Sequence, residues 1–320
     1  MGQIQIINDQ VQYNKTGWQR RGEVCNYHSK PSPEKLTKGG KKDVAGLRSK
    51  AVERRLLNAE AEARYTIGFE VEKNQLHRGS VREYELFCGF ERDGSCGYEA
   101  VTHILPLLPP SMWRTKVFDM MHKASRVIED TFSPSDERCG GHITVAVDGL
   151  TGEELLKMLR PVSGIIFALY RHRLNNRYCG ANLRLQPETQ ELADGENCEE
   201  ENWASAAAGR HGYYSNGWHN KYRVALPKGN TLEWRVPSRF TSVAQMMRRY
   251  ELFYELIDYV MVSKKPTIEG ALRKVDGILH LSYEGDKDKV TNIKGIAKDM
   301  QVFIETGEIR DSIQKYVRLQ

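Results

Sequence analysis

YTIGFEVEKN, residues Tyr65 to Asn74, alternates apolar and polar side chains with the two-residue period of a β-strand. Ile67, Phe69 and Val71 take one face, and Glu70 and Glu72 stand side by side on the other. Two carboxylates at that spacing repel each other, and burying either one unpaired is costly. The strand therefore carries them on a solvated face, or a cation, sugar or amine offsets the repulsion. From this stretch alone the solvated face is the simpler reading.

Further segments of the same kind flank it. Strands are expected at Tyr84 to Glu91, Ala100 to Leu105, His142 to Asp148, Tyr222 to Leu226 and Thr231 to Val236, each short and rich in β-branched or aromatic residues. Helices are expected over SMWRTKVFDMMHKASRVIEDTF and over TGEELLKMLRPVSGIIFALYRHRLNN, the second capped by Thr151 and broken or kinked at Pro161. Beyond Ser238 the chain reads as mostly helical to Gln320. The order is that of an α+β protein, with no internal repeat.

With 320 residues, 40% of them hydrophobic, the chain can bury a large core. No apolar run approaches the roughly 20 residues of a membrane helix, no targeting signal is visible, and the sequence predicts a cytoplasmic protein without a membrane partner. The cysteines Cys25, Cys88, Cys96, Cys139, Cys179 and Cys198 form no CxxC pair, which suits a reducing compartment. Cys25 and His28 could be half of a zinc site, but no second half follows.

Charge is uneven. Lys15 to Arg55 holds twelve Lys and Arg against four Asp and Glu, an excess larger than the net +5 of the whole chain. Its HSKPSPEKLTKGGKK portion reads as a loop or arm, and DVAGLRSKAVERRLLNAEAEA as a helix leading into the Tyr65 strand. Such an arm is either a solvated tether or a contact surface for a polyanion such as nucleic acid. The lack of aromatic interleaving apart from Trp18 and Tyr27 favours the tether. A second biased stretch, PETQELADGENCEEENWASAAAG around Glu199, reads as an acidic surface loop or a lid.

Other polar strand ends share the character of Glu70 and Glu72. TLEWRVP places Glu233 and Arg235 on one face and Leu232, Trp234 and Val236 on the other. ERDGSCGYEAVTHILP supplies Asp93, Ser95 and Glu99 around a turn, and CGGHITV presents His142 after a Gly pair where backbone can approach a ligand. Several carboxylates, an imidazole and an arginine suit a hard cation such as Mg²⁺ holding phosphates, with the arginine as a phosphate fork.

In their order and wording, GFEVE, DGSCGYEAVT, CGGHITV, RLNNRYCG and YRVALPKGNTLEWRVPSRFTS resemble the amidoligase family, carboxylate-amine ligases related to glutamate-cysteine ligase and glutamine synthetase. The likeness runs from about Ile67 to Val260. It implies a curved antiparallel sheet of the glutamine synthetase catalytic-domain type flanked by helices, with a basic N-terminal arm and a helical C-terminus added. The implied domains are residues 1–64 for the arm and lead-in helix, 65–264 for the catalytic domain and 265–320 for the helical extension.

The implied activity is ATP- and Mg²⁺-dependent amide formation through an acyl phosphate, with Mn²⁺ as an alternative metal and a carboxylate and an amine as substrates. Glu70, Glu72, Glu99 and Glu233 correspond to metal ligands, His142 to a metal or phosphate contact, and Arg235 to the stabiliser of the transferring phosphoryl group. Arg177 and Arg223 correspond to basic positions that bind phosphate or the substrate carboxylate, and Asp93 and Ser95 to positions near the acceptor, with Asp93 able to take the amine's proton. One departure stands out: Thr144 occupies the place where that family commonly carries a second histidine, and a hydroxyl is the weaker ligand. Two rival classes remain, a metal-dependent nuclease or phosphodiesterase and a non-catalytic scaffold. The EWR stretch at Glu233 favours the ligase over the first, and retention of all four glutamates argues against the second.

Overall fold

The structure, a computed structural model, describes residues 3–7, 10–14, 25–26, 63–77, 86–102, 104–174, 179, 224–280 and 292–316. Most of the basic arm, the lead-in helix, the acidic loop around Glu199, and Arg177 and Arg223 lie outside the described residues. Gln3–Ile7 (β1) and Gln10–Asn14 (β2) pair antiparallel as a hairpin the sequence reading did not expect.

The Tyr65 segment is the strand Tyr65–Lys73 (β4 in chain order), at the centre of the main sheet. With Cys25–Asn26 as β3, Phe87–Asp93 as β5, Gly97–Thr102 as β6, Leu105–Leu107 as β7, Ile143–Val147 as β8, Ala225–Lys228 as β9 and Thr231–Trp234 as β10, the strand order is β3-β5-β6-β4-β8-β10-β9, with β7 also paired to β4. The fold is mixed α+β, and the sheet is a strongly curled antiparallel half-barrel; the short β3 runs parallel to β5. The curl has a local cause. β4 pairs Glu70 with Val101 and Ile67 with Leu105, so the chain from β6 to β7 carries one residue more than β4 over the same span. A second irregularity falls between Phe87 and Gly89 on β5. Extra residues of this kind bend a strand and raise its twist.

Several expected boundaries shift. The single strand expected at Ala100 to Leu105 is β6 and β7, and the strand expected to reach Val236 ends at Trp234. The first expected helix divides at Ala124, whose N–H is shared between the Met120 and Met121 carbonyls, into Met112–Lys123 (α1) and Ser125–Ile128 (α2). The second ends at Pro161 as the ring requires: Gly152–Leu159 (α3) passes through a 3₁₀ turn at Arg160–Val162 into Ser163–Leu169 (α4). Val243–Val262 (α5), Ile268–His280 (α6), Ile293–Thr306 (α7) and Asp311–Tyr316 (α8) follow. Among the described residues no helix is long and apolar enough to cross a membrane.

The chain falls into two compact units, residues 1–152 with 227–233 and 238–250, and residues 153–226 with 234–237 and 251–320. The helical C-terminus shares a unit with α4 and nearly all of α3. In that second unit α7 packs on α4, α6 and α8, and Gly164 leaves only enough room for Ile268 and Ile304 to close over it.

In the first unit the apolar face of β4 is fully inside: Ile67, Phe69 and Val71 are buried, and Phe69 meets Phe240 edge-on with ring centroids 5.6 Å apart. Tyr250 ties α5 to the strand edge, its hydroxyl donating to the Pro106 carbonyl and accepting from the Leu108 N–H. Lys73 continues the same face, and its side chain is wholly buried. Its ammonium donates to the Ile128 carbonyl, the Asp130 carboxylate and the Phe240 carbonyl, each at 2.7 Å. Burial pulls its pKa below the ordinary lysine value, with Asp130 opposing that shift. Three short, charge-assisted bonds match the three N–H donors of an ammonium and offset its desolvation. Lys73→Met orphans these acceptors and is expected to cost about 3 kcal/mol or more, read as a lowered denaturant midpoint with an unchanged m-value.

Candidate metal centre

Alternation along β4 places Gly68, Glu70 and Glu72 on the face opposite Ile67, Phe69 and Val71. The neighbouring strands bring further polar groups to that face. β6 sets Glu99 opposite Glu72, and β8 sets Thr144 opposite Gly68. The Glu70 N–H donates to the His142 carbonyl at 3.0 Å, which fixes the residue before β8 beside the carboxylates. Glu233, inward on β10, completes the group.

Three carboxylates converge on one imidazole. His142 Nδ1 lies 2.8 Å from Glu70 Oε2 and 3.8 Å from Glu233 Oε1, while Nε2 lies 3.5 Å from Glu72 Oε1. Glu70, His142 and Glu233 each offer a ligand atom, all within 4.8 Å of one another. The Glu233 side chain is 1% exposed and that of His142 9%. Glu233 Oε2 is in contact with the ammonium of Lys228, at the end of β9. Two carboxylate oxygens and an imidazole nitrogen fit a divalent cation. The nitrogen donor makes Mn²⁺ at least as good a match as Mg²⁺. Glu72 stands differently, because its Oε2 already accepts the Gly140 N–H at 2.5 Å.

The Gly pair before His142 is explained by backbone packing. Gly140 gives its N–H to Glu72 and bridges to Ser238. A Cβ at Gly141 would stand 2.4 Å from the Ser238 carbonyl oxygen and 2.8 Å from the Phe240 ring. The close approach expected at these glycines is therefore made by the protein's own chain. Arg249 holds that chain in place: it donates to the Ser238 carbonyl, the Ser238 hydroxyl and the Arg239 carbonyl, and lies 4.5 Å over the Phe240 ring.

Asp93 and Ser95 occupy the β5–β6 turn. Asp93 Oδ1 accepts from both the Ser95 N–H at 2.6 Å and the Ser95 hydroxyl at 2.5 Å, and Ser95 is exposed. Their evident work is to close the turn. Arg235 follows β10 in the second unit, where its N–H donates to the Val224 carbonyl at 2.8 Å. Arg177 and Arg223 lie outside the described residues. Two buried thiols stand near the acids and remain protonated. Desolvation pushes Cys96 far above the ordinary range, with Glu72 adding to it, and pushes Cys139 up to about 11.

No family model matches this chain, and neither a curated protein nor a solved structure gives a match. The geometry stands on its own.

Sequence reasoning missed Lys73, Lys228, Arg249 and the Gly140 N–H. Lys228 was legible in principle: in the hairpin LPKGNTLEW a Lys before a Gly-Asn turn is within diagonal reach of a residue two past its partner. The others depend on tertiary pairing.

Gly141→Ala tests the backbone fit. Neither Ser238 nor Phe240 can yield without disturbing Arg249 and Gly140, so the substitution is expected to cost about 1–3 kcal/mol in chemical denaturation. It should weaken Mn²⁺ binding in calorimetry at the same time, since it displaces the residue next to His142.

Proposed function

We propose that Glu70, His142 and Glu233 hold a divalent cation, and that the chain is an ATP-dependent carboxylate-amine ligase working through an acyl phosphate. The observation that carries the cation is the convergence of three ligand atoms from three separate segments within 4.8 Å on the polar face of a curled sheet. Exposed acids gather by chance; a carboxylate buried to the extent of Glu233, beside a second carboxylate and an imidazole and with one exposed ammonium against it, leaves negative charge that a bound cation offsets. The reaction class rests on the order of the five sequence stretches quoted above and on their shared strand-end carboxylates.

A bound divalent cation would neutralise charge on the β- and γ-phosphates of ATP. The chain's own residues do the rest. Glu70 and Glu233 face the imidazole on its Nδ1 side, where the cation would sit, and Glu72 orients the ring from its Nε2 side. The Gly140 N–H steadies Glu72 in turn. Amide formation from an acyl phosphate needs a site closed to water. The exposed β5–β6 turn is poorly placed for that, so removal of the amine's proton is not assigned to Asp93.

The test is ADP release from ATP and Mg²⁺ or Mn²⁺ across a panel of carboxylates and amines. Turnover that requires both substrates supports the ligase; cleavage of DNA or RNA without ATP contradicts it in favour of a nuclease. Glu70→Ala is expected to lower such turnover by about 100-fold or more with an unchanged circular dichroism spectrum, because the apolar face of β4 is untouched. Glu72→Ala is expected to lower it too, but also to lose about 1–3 kcal/mol of stability as the buried Gly140 N–H loses its acceptor.

A further inference from the structure

We propose that Lys228 is a built-in counter-ion for Glu233 that yields its place to the divalent cation and, once released, binds a phosphate group of the cation's ligand. This inference rests on the cation reading above.

Its ground is the asymmetry of one ion pair. The Lys228 ammonium touches Glu233 Oε2, yet the Glu233 side chain is 1% exposed and that of Lys228 46%. The carboxylate is fixed inside the sheet, and the ammonium reaches it from outside on a flexible four-carbon stem. Glu233 is also the cluster's most buried carboxylate, its other oxygen lying 3.8 Å from His142 Nδ1. A divalent cation bound to Glu70, His142 and Glu233 would set two like charges against the same carboxylate. The partner that can move is the exposed one. Lys228 is the last residue of β9, and its exposed four-carbon stem lets the ammonium swing away without any strand moving.

A displaced ammonium at the rim of a cation site is a phosphate contact. Lysine binds phosphate as a point charge, and an anion that ligates the metal brings its remaining oxygens to that rim. Lys228 thereby couples the two ligands. Without the cation it is held by Glu233; with the cation it is available to the anion. Metal and polyphosphate then raise each other's affinity by more than their direct contact provides.

The experiment uses the full chain and two probes, Mn²⁺ alone and inorganic pyrophosphate at fixed free Mn²⁺, each followed by calorimetry on wild type and Lys228→Met. The variant is expected to bind Mn²⁺ about tenfold more tightly, and the gain in pyrophosphate affinity caused by Mn²⁺ is expected to be about tenfold smaller than in wild type. Unchanged Mn²⁺ affinity overturns the proposal. So does a pyrophosphate loss that is equal with and without Mn²⁺, which would make Lys228 a fixed positive charge and not an exchanging one. If Lys228→Met does not fold, Lys228→Gln, which keeps a hydrogen-bond donor without the charge, carries the same comparison. Wild type that fails to bind Mn²⁺ removes the cation reading itself, whereas Mn²⁺ binding unaltered by the substitution removes only the role of Lys228.

Discussion

The buried ammonium of Lys73 is the constraint on which the rest of the first unit depends. It joins the end of β4 to the Ile128–Asp130 segment and to Phe240 by three bonds of 2.7 Å. Phe240 lies next to the segment that Arg249 grips, and Ser238 within that segment bridges Gly140 and closes over Gly141. Gly140 in turn holds Glu72, and the next residue but one is His142. A single strand thus supplies the acids from one face and, from the other, the cation that fixes their surroundings. Lysine is suited to that task because three donors on one atom can satisfy three acceptors from different directions.

The polar face poses the opposite electrostatic problem. Glu70, Glu72 and Glu233 surround one imidazole, and the Lys228 ammonium meets Glu233 from the outside. A single ammonium offsets only part of the negative charge of three carboxylates. The packing that accompanies it is rigid: a backbone N–H on Glu72, no room for a side chain at Gly141, and two strand registers that fix Glu99 and Thr144. Rigid walls around convergent acids are how proteins preorganise a cation site. Thr144 sits two residues beyond His142, opposite Gly68, and is half-buried on the same strand face. A hydroxyl is a weak metal ligand, so a cation at this face would draw its oxygen donors from Glu70 and Glu233.

How much of this was legible in the sequence follows from the range of the forces involved. The alternation in Tyr65–Lys73 is local, so the strand and the shared face of Glu70 and Glu72 could be read from spacing alone, and Pro161 marked its helix break for the same reason. The grouping of Glu70, His142 and Glu233 was legible as a set of polar strand ends. Their meeting depends on pairings between residues some 70 and 160 positions apart, which no local pattern encodes. Lys73 drew no reading at all, although its position continues the buried face. Asp93 and Ser95 looked like a substrate contact, but short polar residues before a glycine also satisfy their own turn, and here they do. Arg235 was grouped with Glu233 by extending a strand that ends one residue earlier.

A bound metal ion at Glu70, His142 and Glu233 can be located by its anomalous scattering. Crystals of the full chain grown with Mn²⁺, measured on both sides of the manganese absorption edge, test for it most directly. The expected result is an anomalous difference peak at coordination distance from carboxylate oxygens of Glu70 and Glu233 and from a ring nitrogen of His142, with the Lys228 ammonium withdrawn from Glu233. Crystals that show no peak there, or a manganese ion bound elsewhere while Lys228 stays on Glu233, would contradict it.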